Sequence, residues 1–214
     1  MTYDELKPHI ESHGYKPALA PIEKVKSLQG DYEKLLTDQN LPRSQISAIN
    51  TSITRLNAIP AKWPSMLILA VPRGLKLTDA KEHIKIIVEQ TGYQAAVRPG
   101  LPLKRLAVQS GLAMYGRNNL TYISGIGSNY GLVAFVTKIP CTSHTWRESP
   151  ATAPMCDTCD ICIINCPTGA ISKDRFIVDS SKCKVCSKCR NRCPMNKQGY
   201  ELPHTDTIYR IPTT

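Results

Sequence analysis

Two closely spaced cysteine runs constrain this chain more than any other feature of its sequence. Eight of the nine cysteines in the 214 residues fall in these runs, and both runs have the spacing C-x2-C-x2-C-x3-C-P. The runs are CDTCDICIINCP at residues 156–167 and CKVCSKCRNRCP at residues 183–194. Thiols packed this tightly require shared partners, which are either disulfide bonds or metal ions.

Disulfide bonds are the poorer explanation, because nothing at the N-terminus predicts secretion. The sequence MTYDELKPHIESHG carries acids and lacks the apolar core of a signal peptide. The longest apolar strings, such as MLILAV at residues 66–71, fall well short of the roughly 18–20 residues that a membrane-spanning helix needs. We therefore expect a cytoplasmic protein without a membrane partner, whose thiols stay reduced.

The spacing within each run predicts iron–sulfur clusters. Structural zinc sites typically use two short cysteine pairs separated by a longer loop, and a pair of such sites is the alternative. Here a third and a fourth cysteine follow at once and a proline comes next, as in bacterial two-cluster ferredoxins, where the fourth cysteine binds the other cluster. The sequence thus predicts two [4Fe–4S] clusters, one held by Cys156, Cys159, Cys162 and Cys193, and the other by Cys183, Cys186, Cys189 and Cys166.

The net charge gives weaker information about partners. The formal charge is +10, but eight thiolates and two oxidised cluster cores would reduce it to about +6. Aromatic residues, which stack on bases, make up only 6% of the chain. A nucleic-acid partner is therefore not expected, although a nucleic-acid-binding protein with structural clusters is a third hypothesis.

Basic residues surround the second cysteine run, and no acid lies between Asp179 and Glu201. They could form a solvated face that offsets the charge of the clusters. They could instead dock an acidic electron donor such as a flavodoxin or a small ferredoxin, because complementary charge speeds encounter. The residues are Lys182, Lys184, Lys188, Arg190, Arg192 and Lys197.

Hydrophobic periodicity predicts an α+β fold upstream of the cysteines. Residues 2–60 are predicted to be helical, over 4–13, 22–36 and 43–59. Strands are predicted at 65–72 and 93–97, helices at 78–91 and 103–111, a β-hairpin from 120–124 and 131–139, and a short strand at 176–178. Residues 140–154 are rich in Pro, Ser and Thr and predict a linker. We therefore expect one domain at 1–150 and a double-cluster domain at 151–214, with the tail after Pro194 returning over one of them.

One stretch carries a family resemblance: residues 101–140 read LPLKRLAVQSGLAMYGRNNLTYISGIGSNYGLVAFVTKIP, and CDTCDICIINCPTGAI follows at residues 156–171. This combination resembles epoxyqueuosine reductase and the related core of reductive dehalogenases, over roughly residues 60–195. The resemblance implies a nitroreductase-like α/β domain that binds a corrinoid, joined to a ferredoxin domain with two clusters. It also implies that electrons pass through the clusters to base-off cobalamin.

By position, the resemblance implies a corrinoid face formed by Gly111, Tyr115, Gly116, Arg117, Asn118, Asn119, Gly127, Ser128 and Tyr130. It makes Tyr115 the candidate proton donor and Arg117 the candidate anion holder. Glycines let backbone amides approach a flat macrocycle, and amide side chains can bond its peripheral amides. The alternative is that Gly111 and Gly116 only end a helix and form a turn, and that Gly127 and Ser128 close a hairpin.

Two departures from the family bear on the reaction. The family's acidic residue is missing, because its position reads Val97-Arg98-Pro99, and the chain ends at residue 214 without the helical-repeat extension that those enzymes use around tRNA. Epoxyqueuosine reduction is therefore not expected. Two main hypotheses stay open: a small corrinoid-dependent reductase, and a corrinoid-free electron-transfer protein that serves a partner enzyme, such as a corrinoid protein. The ninth cysteine, Cys141, is interpreted as a small buried hydrophobic residue, with redox sensing or metal binding as the alternative.

Overall fold

The computed structural model describes residues 1–37, 41, 43–173, 178–197 and 199–202. It divides the chain into two units. The first consists of Met1–Leu106 and Gly131–Trp146, and the second of Ala107–Tyr130 and Arg147–Thr214. The sequence placed a single domain boundary at residue 150, whereas the structure adds residues 107–130 to the unit that carries the cysteines. Within the described ranges, no helix is long and apolar enough to cross a membrane.

Helices and strands alternate along the first unit. Its helices are α1 (Tyr3–Ser12), α2 (Ile22–Leu35), α3 (Arg43–Asn57), α4 (Leu77–Gln90) and α5 (Leu103–Gln109), the last of which crosses into the second unit. Its strands are β1 (Lys16–Pro21), β2 (Ser65–Pro72), β3 (Ala95–Val97) and β6 (Tyr130–Thr137), where Tyr130 belongs to the second unit. The helices predicted over 4–13, 22–36, 43–59, 78–91 and 103–111 are confirmed to within two residues at each end.

A four-stranded sheet with the order β1-β2-β6-β3 organises this unit. Strand β2 pairs antiparallel with β1, and β3 pairs antiparallel with β6. Strand β2 is apolar and buried almost throughout, and β6 is buried from Val133 to Thr137, as expected for central strands covered on both faces. The buried face of α1 (Tyr3, Leu6, Ile10) and that of α4 (Ala80, Ile84, Ile87, Val88) pack in the same hydrophobic core as these strands.

Two sequence predictions about strands were wrong. The stretch 2–60 is not helical throughout, because Lys16–Pro21 forms strand β1 at the edge of the sheet. Its prolines, Pro17 and Pro21, are tolerated at an edge strand, where fewer ladder hydrogen bonds are lost. The predicted hairpin between 120–124 and 131–139 does not form either, because β6 has its partners in the four-stranded sheet.

The second unit is built from short elements. Strand β4 (Met114–Tyr115) pairs antiparallel with β5 (Thr121–Tyr122), which is the strand that had been expected to pair with 131–139. Two 3-10 turns lie at Pro154–Asp157 and Pro194–Asn196, and two short helices, α6 and α7, lie at Ile161–Ile164 and Lys188–Asn191. Residues 174–177 lie outside the described residues, and so does most of the strand predicted at 176–178. The mixture of helices and sheet confirms the predicted α+β class.

The predicted linker is partly built into this second unit. Thr152 forms a parallel bridge with Tyr115. The amide of Tyr115 donates to the Ala151 carbonyl, and the amide of Ala153 donates to the Tyr115 carbonyl, both at 2.8 Å. The chain therefore enters the first cysteine run along the edge of β4, so this small sheet fixes where the run begins.

Candidate metal centre

Cysteines from both runs line one cavity in the second unit. Cys156, Cys159 and Cys162 of the first run meet Cys193 of the second run there. Cys156 and Cys162 are buried, with 6% and 8% of their surface exposed. Burial, and after it the neighbouring sulfurs, among them those of Cys156 and Cys193, together raise the pKa of the Cys162 thiol to about 11. Three cysteines of the first run and one cysteine of the second run thus line the same cavity.

The other four cysteines of the two runs form a second group. Burial raises the pKa of the Cys189 thiol, and the nearby sulfurs of Cys186, Cys166 and Cys183 raise it further. Cys166 belongs to the first run and the other three to the second, so this group is crosswise as well. It is more open than the first group, because Cys183 and Cys186 are exposed.

The donor set fits a cubane cluster. In the part of the chain that the structure describes, no three or more His, Cys, Asp or Glu side chains converge as ligands of one metal ion. A cubane makes a different demand, since each thiolate binds its own iron and the four sulfurs surround the core. Four cysteines around one cavity meet that demand for the first group. Thiolates are also the soft ligands that iron–sulfur clusters require.

Arg117 holds the first cysteine run in place. Its side chain is buried, with 4% exposed, and its guanidinium donates to the backbone carbonyls of Cys156 and Lys173. Its backbone amide points at the Cys156 sulfur, at 3.4 Å. The resemblance made Arg117 an anion holder, whereas the structure directs its guanidinium to the cysteine segment.

The loop Gly127–Asn129 holds the second cysteine run. Arg190 of α7 donates to the Ser128 hydroxyl at 3.2 Å, to the Ser128 carbonyl at 3.1 Å and to the Asn129 side-chain oxygen at 2.8 Å. The Asn196 side-chain oxygen accepts from the Ser128 amide at 2.7 Å, and its amide nitrogen donates to the Arg190 carbonyl at 2.8 Å. Sequence reasoning missed Asn196, since no local pattern marks it.

Two glycines of the predicted corrinoid face are in close contact with other residues of the protein, which leave no space for a Cβ atom. A Cβ atom on Gly127 would lie 2.4 Å from Asn196 Oδ1 and 2.7 Å from the Met195 carbonyl oxygen. A Cβ atom on Gly116 would lie 2.6 Å from the ring of Tyr122. Both positions exclude any side chain. The glycines are thus explained by close packing around the cysteine runs.

The other predicted residues occupy varied positions in the same unit. Gly111 has a φ of 78° just after α5, which is typical of a helix stop. Asn119 has a φ of 57° in the turn between β4 and β5 and is exposed. Tyr115 is half-buried in β4. The Tyr130 hydroxyl donates to Thr121 Oγ1 at 2.7 Å, and burial raises the pKa of Tyr130 to about 12.

Asn118 connects the turn to both cysteine runs. It is buried and lines the first cavity, and its side-chain amide donates to the Cys189 carbonyl at 3.4 Å. The same amide donates to the Tyr122 hydroxyl at 2.8 Å. Tyr122, which the sequence did not single out, belongs to the hydrophobic cluster against which Cys193 packs.

The remaining cysteine lies apart from these groups. Cys141 is half-buried and packs on the core of the first unit. Burial, and to a smaller extent nearby Glu23, raise the pKa of its thiol to about 11. A thiol with so little thiolate at neutral pH is a poor nucleophile, which agrees with the interpretation as a small hydrophobic residue.

The described part of the tail returns over the second unit. Tyr200 and Leu202 pack on a hydrophobic cluster that includes Tyr122, Cys156 and Met195. The Gly125 amide donates to the Tyr200 carbonyl at 3.1 Å. The tail therefore packs on the same hydrophobic cluster as Cys156 of the first cysteine group; residues 203–214 lie outside the described residues.

Comparison with known proteins identifies two sets of relatives. No family model matches the chain. The curated epoxyqueuosine reductase of Cyclobacterium marinum is 28% identical over 160 residues, which cover 59% of this chain and 50% of the relative. A ferredoxin-like protein from the nif region of Rhizobium leguminosarum bv. trifolii is 45% identical over 51 residues, which cover 20% of this chain and 80% of the relative.

A solved structure shares the fold. Epoxyqueuosine reductase from Bacillus subtilis superposes with a TM-score of 0.63 and 18% sequence identity, over 92% of this chain and 66% of that chain. The curated epoxyqueuosine reductase of C. marinum is about twice as long as the part that this chain spans. The predicted resemblance to epoxyqueuosine reductase and the ferredoxin-like character of the C-terminal region are both confirmed.

Proposed function

We propose that this chain carries low-potential electrons through two [4Fe–4S] clusters to an acceptor. The chain is a relative of the epoxyqueuosine reductases, and its C-terminal region is similar to ferredoxin-like proteins. One observation carries the proposal: cysteines of the first run and a cysteine of the second line the same cavity. A [4Fe–4S] cluster supplies a one-electron couple. The residues of the chain hold the clusters, set their exposure and shape the surfaces where donor and acceptor meet.

The unequal exposure of the two cysteine groups supports a direction for the electrons. Cys183 and Cys186 are exposed, whereas Cys156 and Cys162 are buried beside Arg117 and Asn118. An external donor comes closest to the exposed group. We therefore place reduction at the group formed by Cys166, Cys183, Cys186 and Cys189, and delivery at the group formed by Cys156, Cys159, Cys162 and Cys193.

The surface of the second run suits an acidic donor protein. Val185 lies between the two exposed cysteines, with 84% of its surface exposed. Four cations of this part of the sequence are also exposed, namely Lys184, Lys188, Arg192 and Lys197. The other two predicted cations are engaged, because Arg190 bonds to Ser128 and Lys182 pairs with Asp179 at 3.2 Å. An apolar centre with a basic rim is complementary to a small acidic flavodoxin or ferredoxin.

Charge reversal at this surface tests the donor. We expect Lys184→Glu to slow reduction by a reduced acidic flavodoxin by roughly tenfold at low ionic strength, because it weakens electrostatic steering. The wild-type rate should also fall steeply as salt is added. Stopped-flow absorbance of the clusters measures both effects.

The matched control for this experiment is Lys7→Glu, which makes the same charge change on exposed Lys7 of α1 in the first unit. It should leave the rate within about twofold of wild type, since rim charges act locally. A flat salt response, or equal slowing by both variants, would remove the proposed donor surface.

Two acceptors are possible for the delivered electrons. The resemblance to epoxyqueuosine reductase favours a bound corrinoid and a reductive reaction, in which Tyr115 would supply a proton. The contacts of Arg117, Gly127 and Ser128 with the cysteine segments, and of Gly116 with Tyr122, favour the second candidate. This is a corrinoid-free protein that passes electrons to a partner enzyme. Because contacts within the protein already use these residues, they do not form an open surface on which a corrinoid could lie.

Anaerobic reconstitution separates these possibilities. The protein purified without oxygen should be brown and contain iron and sulfide in equal amounts, about eight of each per chain. We then expect hydroxocobalamin, added during reconstitution, to be lost on gel filtration. Retention of one base-off corrinoid per chain would establish the reductase instead. A colourless protein with stoichiometric zinc would refute the proposal as a whole.

A further inference from the structure

Arg117 contacts Cys156 through both its backbone and its side chain. Its backbone amide points at the Cys156 sulfur, with 3.4 Å between the two atoms. Its guanidinium donates to the Cys156 carbonyl through Nε, at 3.2 Å, and through one terminal nitrogen. The other terminal nitrogen donates to the carbonyl of Lys173, so all three guanidinium nitrogens are bonded. The side chain is therefore held against one of the proposed cluster ligands.

The guanidinium places a buried positive charge in the wall of the first cavity. Only 4% of the surface of Arg117 is exposed, and an arginine side chain stays ionised in proteins. Among the described residues that line this cavity, Arg117 is the one with a positively charged side chain; the others are four cysteines, Asn118 and apolar residues. The cavity thus brings one cation together with four thiols.

A cation at this position acts differently on the two redox states of a cluster. Four thiolates and an oxidised [4Fe–4S] core carry a charge of about −2, and reduction by one electron makes it about −3. A nearby positive charge therefore stabilises the reduced cluster more than the oxidised cluster. The difference is large where water is excluded, because the effective dielectric constant is lower and salt screens buried charges little.

We propose that Arg117 is a positioning residue that raises the reduction potential of the cluster held by Cys156, Cys159, Cys162 and Cys193. The anion that Arg117 serves is then the cluster itself. The inference rests on the proposed function, since it requires that the clusters are bound. It also agrees with the proposed direction of the electrons, because a higher potential at the buried cluster favours transfer to it from the exposed one.

The second cysteine group should respond much less to this charge. The guanidinium bonds to Cys156, which belongs to the first group only. Cys183 and Cys186 of the second group are exposed. Water and salt screen charges near an exposed group far more effectively than in a buried cavity. The potential of the second cluster therefore serves as an internal reference.

The test compares Arg117→Gln with Arg117→Lys in the anaerobically reconstituted protein. Glutamine removes the charge and keeps a polar donor, whereas lysine keeps the charge and loses the planar guanidinium. We expect an EPR-monitored redox titration of Arg117→Gln to show one midpoint potential shifted to a more negative value and the other nearly unchanged. Arg117→Lys should keep both potentials near the wild-type values. Iron and sulfide content of the same samples shows whether both clusters are loaded.

The shifted potential is assigned in proteins that retain one cluster. Cys186→Ala should retain the cluster of the first group, and Cys159→Ala that of the second. Arg117→Gln should lower the potential in the Cys186→Ala background and leave it nearly unchanged in the Cys159→Ala background. The reverse pattern would overturn the inference.

The matched control is Arg147→Gln. Arg147 is a half-buried arginine of the same unit, and its guanidinium donates to the carbonyls of Val108 and Ala113, both at 3.3 Å. The same charge is thus removed from a side chain that bonds to carbonyls outside the cysteine runs. Both potentials should stay near the wild-type values. A shift as large as that of Arg117→Gln would reduce the effect to the net charge of the protein and overturn the inference.

The remaining outcomes separate the inference from the proposed function. Unchanged potentials in a fully loaded Arg117→Gln protein, or equal shifts in the glutamine and lysine variants, would overturn the role of the charge and leave the two-cluster function standing. If Arg117→Gln does not retain the first cluster, the lysine variant decides. A loaded Arg117→Lys protein with wild-type potentials supports the role of the charge, and loss of the cluster there as well overturns it. A wild-type protein without iron and sulfide would overturn the proposed function itself, before any potential is measured.

Discussion

Cys166→Ala is expected to remove the cluster built mainly by the second cysteine run, and Cys193→Ala the cluster built mainly by the first. Cys193 lines the first cavity with the three cysteines of the first run, and Cys166 lies near enough to Cys189 to raise the pKa of that thiol. A cubane that loses one of its four thiolates is left with an open iron, which makes it labile. Each variant should therefore contain about half the wild-type iron and sulfide.

The identity of the lost cluster is read by comparison with two further variants. Under crosswise binding, the EPR spectrum of reduced Cys166→Ala matches that of Cys186→Ala, because both retain the buried cluster. Under local binding it matches Cys159→Ala instead, which would contradict the assignment. Cys141→Ala is the control for loss of a thiol, since Cys141 lies in the first unit and packs on its core; it should keep both clusters.

The second large effect is expected from Gly127→Ala. Gly127 has a φ of 61°, and a Cβ atom there would lie 2.4 Å from Asn196 Oδ1 and 2.7 Å from the Met195 carbonyl. Because Met195 and Asn196 lie two and three residues after Cys193, the displaced segment would carry this proposed cluster ligand with it. Beyond the cost of a left-handed alanine, we expect the clash to lower the thermal midpoint by roughly 2–12 °C, from an overpacking cost of about 1–3 kcal/mol and about 2–4 °C per kcal/mol.

Gly169→Ala is a closely matched control for this change. Gly169 has the same φ of 61°, but a Cβ atom there meets nothing within 4 Å. Both variants bear the cost of a left-handed alanine, about 1–2 kcal/mol, so their difference isolates the clash. The measurement is the loss of cluster absorbance on heating, in which Gly127→Ala should bleach at the lower temperature. Equal midpoints in the two variants would show that the close contact has no energetic weight.

The cysteine chemistry could be predicted from the sequence because it is encoded locally. The spacing of Cys156, Cys159 and Cys162 fixes three ligands on one short loop, and the proline after the fourth cysteine completes the pattern. The helices were predictable for a similar reason, since apolar residues such as Leu6 and Ile10 recur at helical spacing.

The supporting contacts could not be predicted, because their partners are distant in sequence. Gly127 contacts Asn196, and Arg117 contacts the carbonyl of Lys173, 56 residues away. A glycine next to a serine fits a turn, a cofactor face or a close contact equally well, so the pattern alone does not decide. Strand β1 was missed because six residues with two prolines give too short a pattern to outweigh the helices around it.

Residues 107–130 give the cluster-bearing region a property that a free ferredoxin lacks. Arg117, Asn118 and Ser128 supply contacts to the cysteine runs from a segment that precedes them by about 30 residues or more. The region that begins at residue 151 would therefore lose these contacts if it were moved to another protein without residues 107–130. A swap of this region between relatives would have to transfer both segments together.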